Sequence, residues 1–130
     1  MLIDATRQTK GASDKGKRFK GPHPADDLSF MQPRPKRTGG IDYWQISPTG
    51  NYTQDVETGG ALADEYLSYV GRHPTNFNAT LLTCIVREMI ERAKDGQEWS
   101  GVHVGFLAAI NRAAMISAHF MAPMPKGGAK

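Results

Sequence analysis

Apolar residues recur at helical spacing in three stretches of the second half of the chain. A period of about 3.6 residues predicts helices over about residues 58–70, 76–95 and 100–121. The middle stretch has the clearest two-faced pattern, because charged residues lie opposite its apolar arc. That arc comprises Leu81, Leu82, Ile85, Val86, Met89, Ile90 and Ala93.

Residues 41–56 alternate apolar and polar side chains on either side of a turn whose Ser47, Pro48 and Gly50 are typical of type I geometry. We expect a short β-hairpin there, which would leave Trp44 and Ile46 on an outer face as candidates for a contact surface. The expected fold class is therefore mainly α with a minor β component (α+β). We expect a three-helix domain over residues 41–122 with a short N-terminal β-hairpin, preceded by a disordered basic arm.

The third predicted helix is almost free of charge and long enough to cross a bilayer. Arg112 near its middle argues against a membrane span, since an arginine at the bilayer centre costs about 2.5 to 3.5 kcal/mol. A helix that is apolar on nearly all sides is instead expected to lie inside a protein. A domain of about 80 residues has difficulty covering it completely. Burial within a monomer and sharing with a partner subunit therefore both stay open.

Two features of this helix are candidates for contacts. Small residues recur every four positions and predict that another backbone can approach closely, from within the chain or from a partner. They are Gly101, Gly105, Ala109, Ala113 and Ser117. A narrow polar strip with Arg112 and His119 is expected to be exposed, either as an anion-binding strip or as an ordinary solvated edge.

Basic residues are concentrated at the beginning of the chain. Residues 1–40 contain nine Lys and Arg against four Asp, a net charge of +5, while the remainder carries −2. With few large apolar side chains, this segment is expected to be a flexible arm that contacts nucleic acid or a neighbouring protein; a linker without a binding role is the plainer alternative. The candidate contact residues are Lys15, Lys17, Arg18, Phe19, Lys20, Phe30, Arg34, Lys36 and Arg37. The two Phe among them could stack on unpaired bases, and a short basic tail follows at 123–130.

Candidate catalytic groups are sparse. Glu88 and Glu91, one helical turn apart, could hold magnesium with Asp64 and Glu65, as a metal-dependent nucleotide phosphohydrolase would require. Ordinary surface ion pairs explain the same spacing better. The four His show no zinc-ligand spacing, and no His is placed by sequence to activate Cys84. We therefore expect no catalytic residue, no metal and no cofactor.

Together these patterns favour a non-enzymatic assembly or adaptor subunit. It would pack against partner subunits, either its own copies or other proteins, through the third helix, and use the basic arm on nucleic acid or protein. Two alternatives remain: a small inhibitor or regulator that acts through its domain surface, and the phosphohydrolase. A single cysteine and an N-terminal sequence without a long apolar run favour a cytoplasmic protein with no membrane contact.

Overall fold

The computed structural model describes residues 23–35 and 37–123, and within them the chain is mainly helical. The elements follow in the order α1 (Pro24–Asp27), β1 (Gln32–Pro33), β2 (Ile41–Asp42), α2 (Tyr52–Arg72), α3 (Asn76–Ala79), α4 (Leu81–Lys94) and α5 (Gly101–Met121). The two strands form an antiparallel ribbon in which Gln32 lies opposite Asp42 and Pro33 opposite Ile41. The expected fold class, an α-rich domain with a minor β component, is confirmed.

Helices α2 and α5 form the frame of the domain and lie side by side in the same direction. Glycines permit their close approach. A Cβ at Gly101 would lie 2.6 Å from the carbonyl oxygen of Tyr52, and one at Gly105 would overlap the carbonyl oxygen of Val56. Gly59 makes the same approach from α2. Since no side chain separates the two backbones here, any larger residue must push the helices apart.

The core is an aromatic cluster centred on Phe106 of α5. Its ring packs edge-on against Trp44, Phe30 and Tyr66, with centroid distances of 5.0, 5.5 and 6.0 Å. Each such pair contributes about 0.5–1.5 kcal/mol beyond the burial of its area. The aliphatic side chains that complete the core include Leu62, Leu81, Ile85, Met89 and Val102.

The second part of the predicted arm folds against the domain. Leu28, Phe30 and Met31 are almost fully buried, and the carbonyl of Phe30 accepts a hydrogen bond from the Gln45 N–H at 2.8 Å. The prediction of a contact residue at Phe30 is therefore wrong, and the folded domain does not begin at residue 41. A small domain lacks enough apolar surface of its own, so the segment before residue 41 supplies part of the core.

The predicted hairpin over residues 41–56 is wrong beyond its first strand, because residues 52–56 form the first turns of α2. The Asn51 side chain caps this helix by accepting a hydrogen bond from the Gln54 N–H at 2.9 Å. The buried Asp55 carboxylate accepts from both the N–H and the hydroxyl of Thr49, at 3.0 and 2.7 Å. These bonds lower the pKa of Asp55. Because they join Thr49 to the first turn of α2, the segment expected to be a hairpin turn leads into a helix instead. The ribbon that does form pairs residues 41–42 with 32–33 instead.

Trp44 was expected on an outer face but is completely buried. It packs against Phe30 at 5.6 Å and against the His103 ring at 5.3 Å. The prediction of an exposed contact residue is therefore wrong for Trp44, while Ile46 is partly buried. Without a second strand at residues 52–56, the alternation along 41–46 does not create a solvent face.

The predicted helix over residues 76–95 is interrupted at Thr80, so that it becomes the short α3 followed by α4. The buried stripe of α4 is narrower than its apolar arc. Leu81, Ile85 and Met89 are buried, whereas Leu82 and Val86 are only partly covered and Ile90 is exposed.

Candidate interaction surfaces

Helix α5 has two halves in different surroundings. In the first half, Val102 and Phe106 lie in the core and are at most 1% exposed. In the second half, Ile116 is 53% exposed and Phe120 is 80% exposed, although both are large apolar side chains. We call residues 111–121 the outer segment. Because it remains a regular helix, these apolar groups are held on a rigid element rather than on a loop.

The apolar stripe of the core continues onto the outer segment. At about 100° per residue, Phe120 points in the same direction as Val102, and Ile116 lies within about 40° of it. The domain does not cover this continuation, so side chains with a core pattern face solvent. A contiguous apolar surface of this kind marks an interaction site more often than single scattered residues do. Its large members are Ile116 and Phe120, while Met115 and Met121 are also exposed but lie about 140° and 100° from Val102 around the helix.

The small residues that recur every four positions along α5, from Gly101 to Ser117, form a ridge that extends over both halves of the helix. Gly101 and Gly105 are buried against α2, so this part serves packing within the chain. Ala109 and Ala113 are partly buried. Ser117 is exposed, and its hydroxyl contacts the Sδ of Met121 at 3.5 Å. Sharing with a partner therefore stays a hypothesis for the outer part of the ridge only.

The polar strip with Arg112 and His119 lies on the exposed side of the outer segment. The two residues are about 20° apart around the helix. The His119 ring meets the Phe120 ring edge-on at 5.4 Å. Binding of an anion by this strip stays a prediction.

Helix α4 carries a shallow apolar groove of about 530 Å³. It exists because α4 buries only one side of its apolar arc. The groove is lined by Ala79, Leu82, Thr83, Val86, Arg87 and Ile90.

A second cleft, of about 370 Å³, lies between the ribbon and α4. It contains Tyr43, whose pKa is raised by burial and by a hydrogen bond with Cys84. Both signs of charge line this cleft, and Arg34 bonds Glu88 within it at 2.8 Å. Because the two Arg and two Glu that line the cleft cancel in formal charge, it does not concentrate charge of one sign for an ionic ligand.

Few of the predicted arm contacts fall within the described residues. Arg34 donates to the Glu88 carboxylate and to the Ile41 carbonyl, the latter at 3.1 Å, so it holds the ribbon against α4. Arg37 is exposed. The other predicted contacts, apart from Phe30, lie outside the described residues; they are Lys15, Lys17, Arg18, Phe19, Lys20 and Lys36.

Three of the four carboxylates that a magnesium site would need are engaged in other contacts, and the fourth, Asp64, is exposed. Glu65 accepts from the Ser29 hydroxyl at 2.9 Å. Glu88 is held by Arg34 and by Arg92, and Glu91 pairs with Lys94 at 3.5 Å. Within residues 23–35 and 37–123, no three His, Cys, Asp or Glu side chains form a group that could hold a metal ion.

His103 in the first turn of α5 is buried in the core and serves the helix cap. Its Nδ1 accepts a hydrogen bond from the Ser100 N–H at 3.0 Å, and the Ser100 hydroxyl oxygen accepts one from the Val102 N–H at 3.1 Å. The helix start predicted at Ser100 is thus present. Burial lowers the pKa of His103, which keeps its ring neutral beside Trp44.

Helix α5 is long and apolar enough to cross a membrane by length and composition alone. Its first half, however, provides the buried centre of the domain. Gly101 and Gly105 contact the α2 backbone, and Phe106 organises the aromatic cluster. A span along the whole helix would require this core to come apart.

Sequence reasoning named the third helix as a contact element but did not single out the large apolar residues of its second half, because a helical wheel does not show where a domain ends. It expected the apolar sides of the third helix to be covered either within the monomer or by a partner subunit. The available signal was the mismatch between a helix of 21 residues and a domain too small to enclose it on all sides.

Comparison of the chain with known protein families, curated proteins and solved structures finds no match.

Proposed function

We propose that the protein is a non-enzymatic assembly or adaptor subunit. It binds a partner subunit through the outer segment of α5, and it contacts nucleic acid or a neighbouring protein through the basic residues that precede His23. The observation that carries the proposal is the exposure of Phe120 and Ile116, at 80% and 53%, on a regular helix.

The expected strength of this contact follows from the side chains involved. Full burial of one large apolar side chain contributes about 1.5–3 kcal/mol. A few such residues dominate the affinity of most protein interfaces. The apolar residues of the outer segment are therefore sufficient to form the centre of a binding site.

The contacts of the acidic residues favour this function over the phosphohydrolase. Glu88 and Glu91 are bound by basic side chains, so a metal ion would have to displace Arg34, Arg92 and Lys94. The inhibitor alternative uses the same domain surface but gives no role to the basic segment. It predicts that a chain beginning at His23 keeps full activity.

The docking function is tested by comparing two isoleucines of similar exposure. The full chain is recovered with its bound proteins from the cells that produce it, and each protein found is purified and titrated against the chain by calorimetry. Ile116→Ser is expected to weaken binding by at least about tenfold, equivalent to about 1.4 kcal/mol. Ile90→Ser on α4, where the side chain is 47% exposed, is the matched control. Equal affinity of both variants for every protein found would refute the function.

The basic segment is tested by fluorescence anisotropy with short DNA and RNA probes over a salt series. The full chain is compared with one that begins at His23, because a later start removes Phe30 and Met31 from the core. Binding with a steep salt slope that is lost in the shorter chain would support phosphate contacts. Failure of the full chain to bind at low salt would refute nucleic acid as the target.

A further inference from the structure

We propose that Met115 and Met121 on the outer segment of α5 are reversible oxidation sites, at which conversion of the thioether to a sulfoxide weakens the binding of a partner. This inference rests on the proposed function and names its regulation by a peroxide. It starts from the different positions of the methionines in the fold. Met115 is 63% exposed and Met121 is 78% exposed, whereas Met31 and Met89 are at most 2% exposed in the core.

The exposure of these side chains determines which sulfur atoms an oxidant can reach. Oxidation of methionine requires that a peroxide oxygen approach a lone pair of the sulfur. The close-packed core leaves no space for an oxidant beside Met31 and Met89. Among the methionines of residues 23–35 and 37–123, the two on the outer segment are therefore the reactive ones.

A hydrogen-bond donor lies one helical turn before each exposed sulfur. The side-chain N–H of Asn111 donates to the Sδ of Met115 at 3.6 Å, and the hydroxyl of Ser117 donates to the Sδ of Met121 at 3.5 Å. A thioether sulfur is a weak acceptor, whereas the oxygen of a sulfoxide is a strong one. The same donors can bond this oxygen after oxidation, so we expect the oxidised outer segment to remain a helix.

The covalent step is the transfer of an oxygen atom from hydrogen peroxide, which is the co-reactant of this modification. A lone pair of the sulfur attacks one peroxide oxygen, so that an S–O bond forms while the O–O bond breaks. The sulfur is oxidised by two electrons, and the other oxygen leaves as water with both hydrogen atoms. Methionine sulfoxide reductases reverse the step with two thiols, which become a disulfide while the sulfoxide oxygen leaves as water.

The two methionines lie on opposite sides of the exposed stripe that contains Ile116 and Phe120. Around the helix, Met121 is about 100° from Phe120 in one direction and Met115 about 140° in the other. Two sulfoxides therefore place polar oxygens on both sides of this apolar surface. Burial of a polar oxygen with too few hydrogen bonds is unfavourable, and an apolar partner surface offers no donor. The reduced outer segment is therefore the form that binds.

The modification is tested by the oxidation rate of each methionine in the folded full chain. The protein is treated with hydrogen peroxide, the reaction is stopped at intervals, and proteolytic peptides are analysed by mass spectrometry. Met115 and Met121 are expected to oxidise at least about tenfold faster than Met31 and Met89, because the core opens only rarely. In urea-unfolded protein all four should react at similar rates. Equal rates in the folded chain would overturn the inference.

The secondary structure of the oxidised chain shows whether the modification acts on the surface or on the fold. The oxidised wild type is expected to keep its far-ultraviolet circular dichroism and the helical Cα chemical shifts of residues 111–121. The double variant Asn111→Ala/Ser117→Ala lacks both donors, so oxidation should change these shifts more than in the wild type. Loss of helix in the oxidised wild type would mean that oxidation damages the domain, which contradicts regulation of binding.

The effect on binding is measured with Met115→Leu/Met121→Leu as the matched control. Leucine has a similar volume and apolar character but no sulfur, and this variant keeps Cys84 and the other methionines. The proteins found bound to the chain are titrated before and after peroxide treatment. Oxidation is expected to weaken binding to the wild type by at least about tenfold, to leave the double variant unchanged, and to be reversed by the reductases with dithiothreitol. An equal loss of affinity in the double variant would assign the effect to other residues and refute the inference.

A second readout requires no partner and separates this inference from the proposed function. Retention on a phenyl-substituted matrix in ammonium sulfate reports the exposed apolar surface, and oxidation is expected to shorten it in the wild type but not in the double Leu variant. If the reduced chain binds no protein, the docking function fails, while the oxidation rates and the retention still test the modification. If the reduced chain binds a protein with an affinity that oxidation does not change, the docking function stands and its regulation by oxidation is wrong.

Discussion

The two halves of α5 have similar apolar composition but opposite environments. One side of the inner half, from Gly101 to Ile110, packs against α2, residues 28–31 and Trp44, while Val104 on its other side is 46% exposed. The outer segment has the same stripe and a comparable number of large apolar residues, yet most of its side chains are exposed. The difference shows that the apolar pattern of a helix determines which of its faces is buried. The length of the elements packed against the helix determines how far along it the burial extends.

The largest expected effect comes from truncating one phenylalanine in each half. Phe106→Ala should lower the free energy of unfolding by about 3–5 kcal/mol, because it empties the centre of the aromatic cluster. Phe120→Ala should change it by no more than about 0.5 kcal/mol in dilute monomer, since its ring is exposed. Urea denaturation at low protein concentration measures both values. Similar losses for the two variants would mean that the outer segment is part of the cooperative core.

A smaller effect is expected from adding one methyl group where the helices touch. Gly105→Ala should destabilise the protein by about 1–3 kcal/mol, because its Cβ would overlap the backbone of Val56. Gly60→Ala is the matched control within α2, where a Cβ meets nothing within 4 Å. It should stabilise the helix by up to about 1 kcal/mol. Thermal unfolding of both variants gives the comparison, and a stable Gly105→Ala protein would contradict the close packing of α2 and α5.

The smallest expected effect is on the pH dependence of the free energy of unfolding, to which the buried His103 of α5 contributes. Burial lowers the pKa of His103 in the folded protein relative to the unfolded chain, where it is near 6.5. The neutral ring therefore stabilises the fold above the unfolded pKa, and this contribution is lost as pH falls through the lower folded pKa. Protonation would also abolish the hydrogen bond that Nδ1 accepts from Ser100.

The corresponding measurement follows the free energy of unfolding of the wild type and of two glutamine variants from neutral to mildly acidic pH. His103→Gln should remove part of the loss of stability on acidification. His119→Gln, at an exposed position of the outer segment, is the matched control for the loss of a histidine side chain. An equal slope in wild type and His103→Gln would show that acidification acts through other groups.

The sequence predicted the local features of the helices well because they depend on neighbouring residues. Helix α5 covers nearly the predicted residues 100–121, and the buried stripe of α4 contains Leu81, Ile85 and Met89, which belong to its predicted apolar arc. The hairpin was wrong for a reason that is also local. The Asn51 cap and the Asp55 bonds to Thr49 start a helix at a position where alternation alone suggested a strand.

The sequence by itself thus determined which segments become helices and which of their faces are apolar, since both follow from short-range spacing, capping and turn geometry. Only the tertiary structure decided which apolar residues are covered. Phe30 and Trp44 became core residues because distant segments meet at Phe106, and Ile116 and Phe120 stayed exposed because α5 extends beyond the elements that could cover it. Burial depends on which segments meet in space, and the periodicity of one segment does not contain that information.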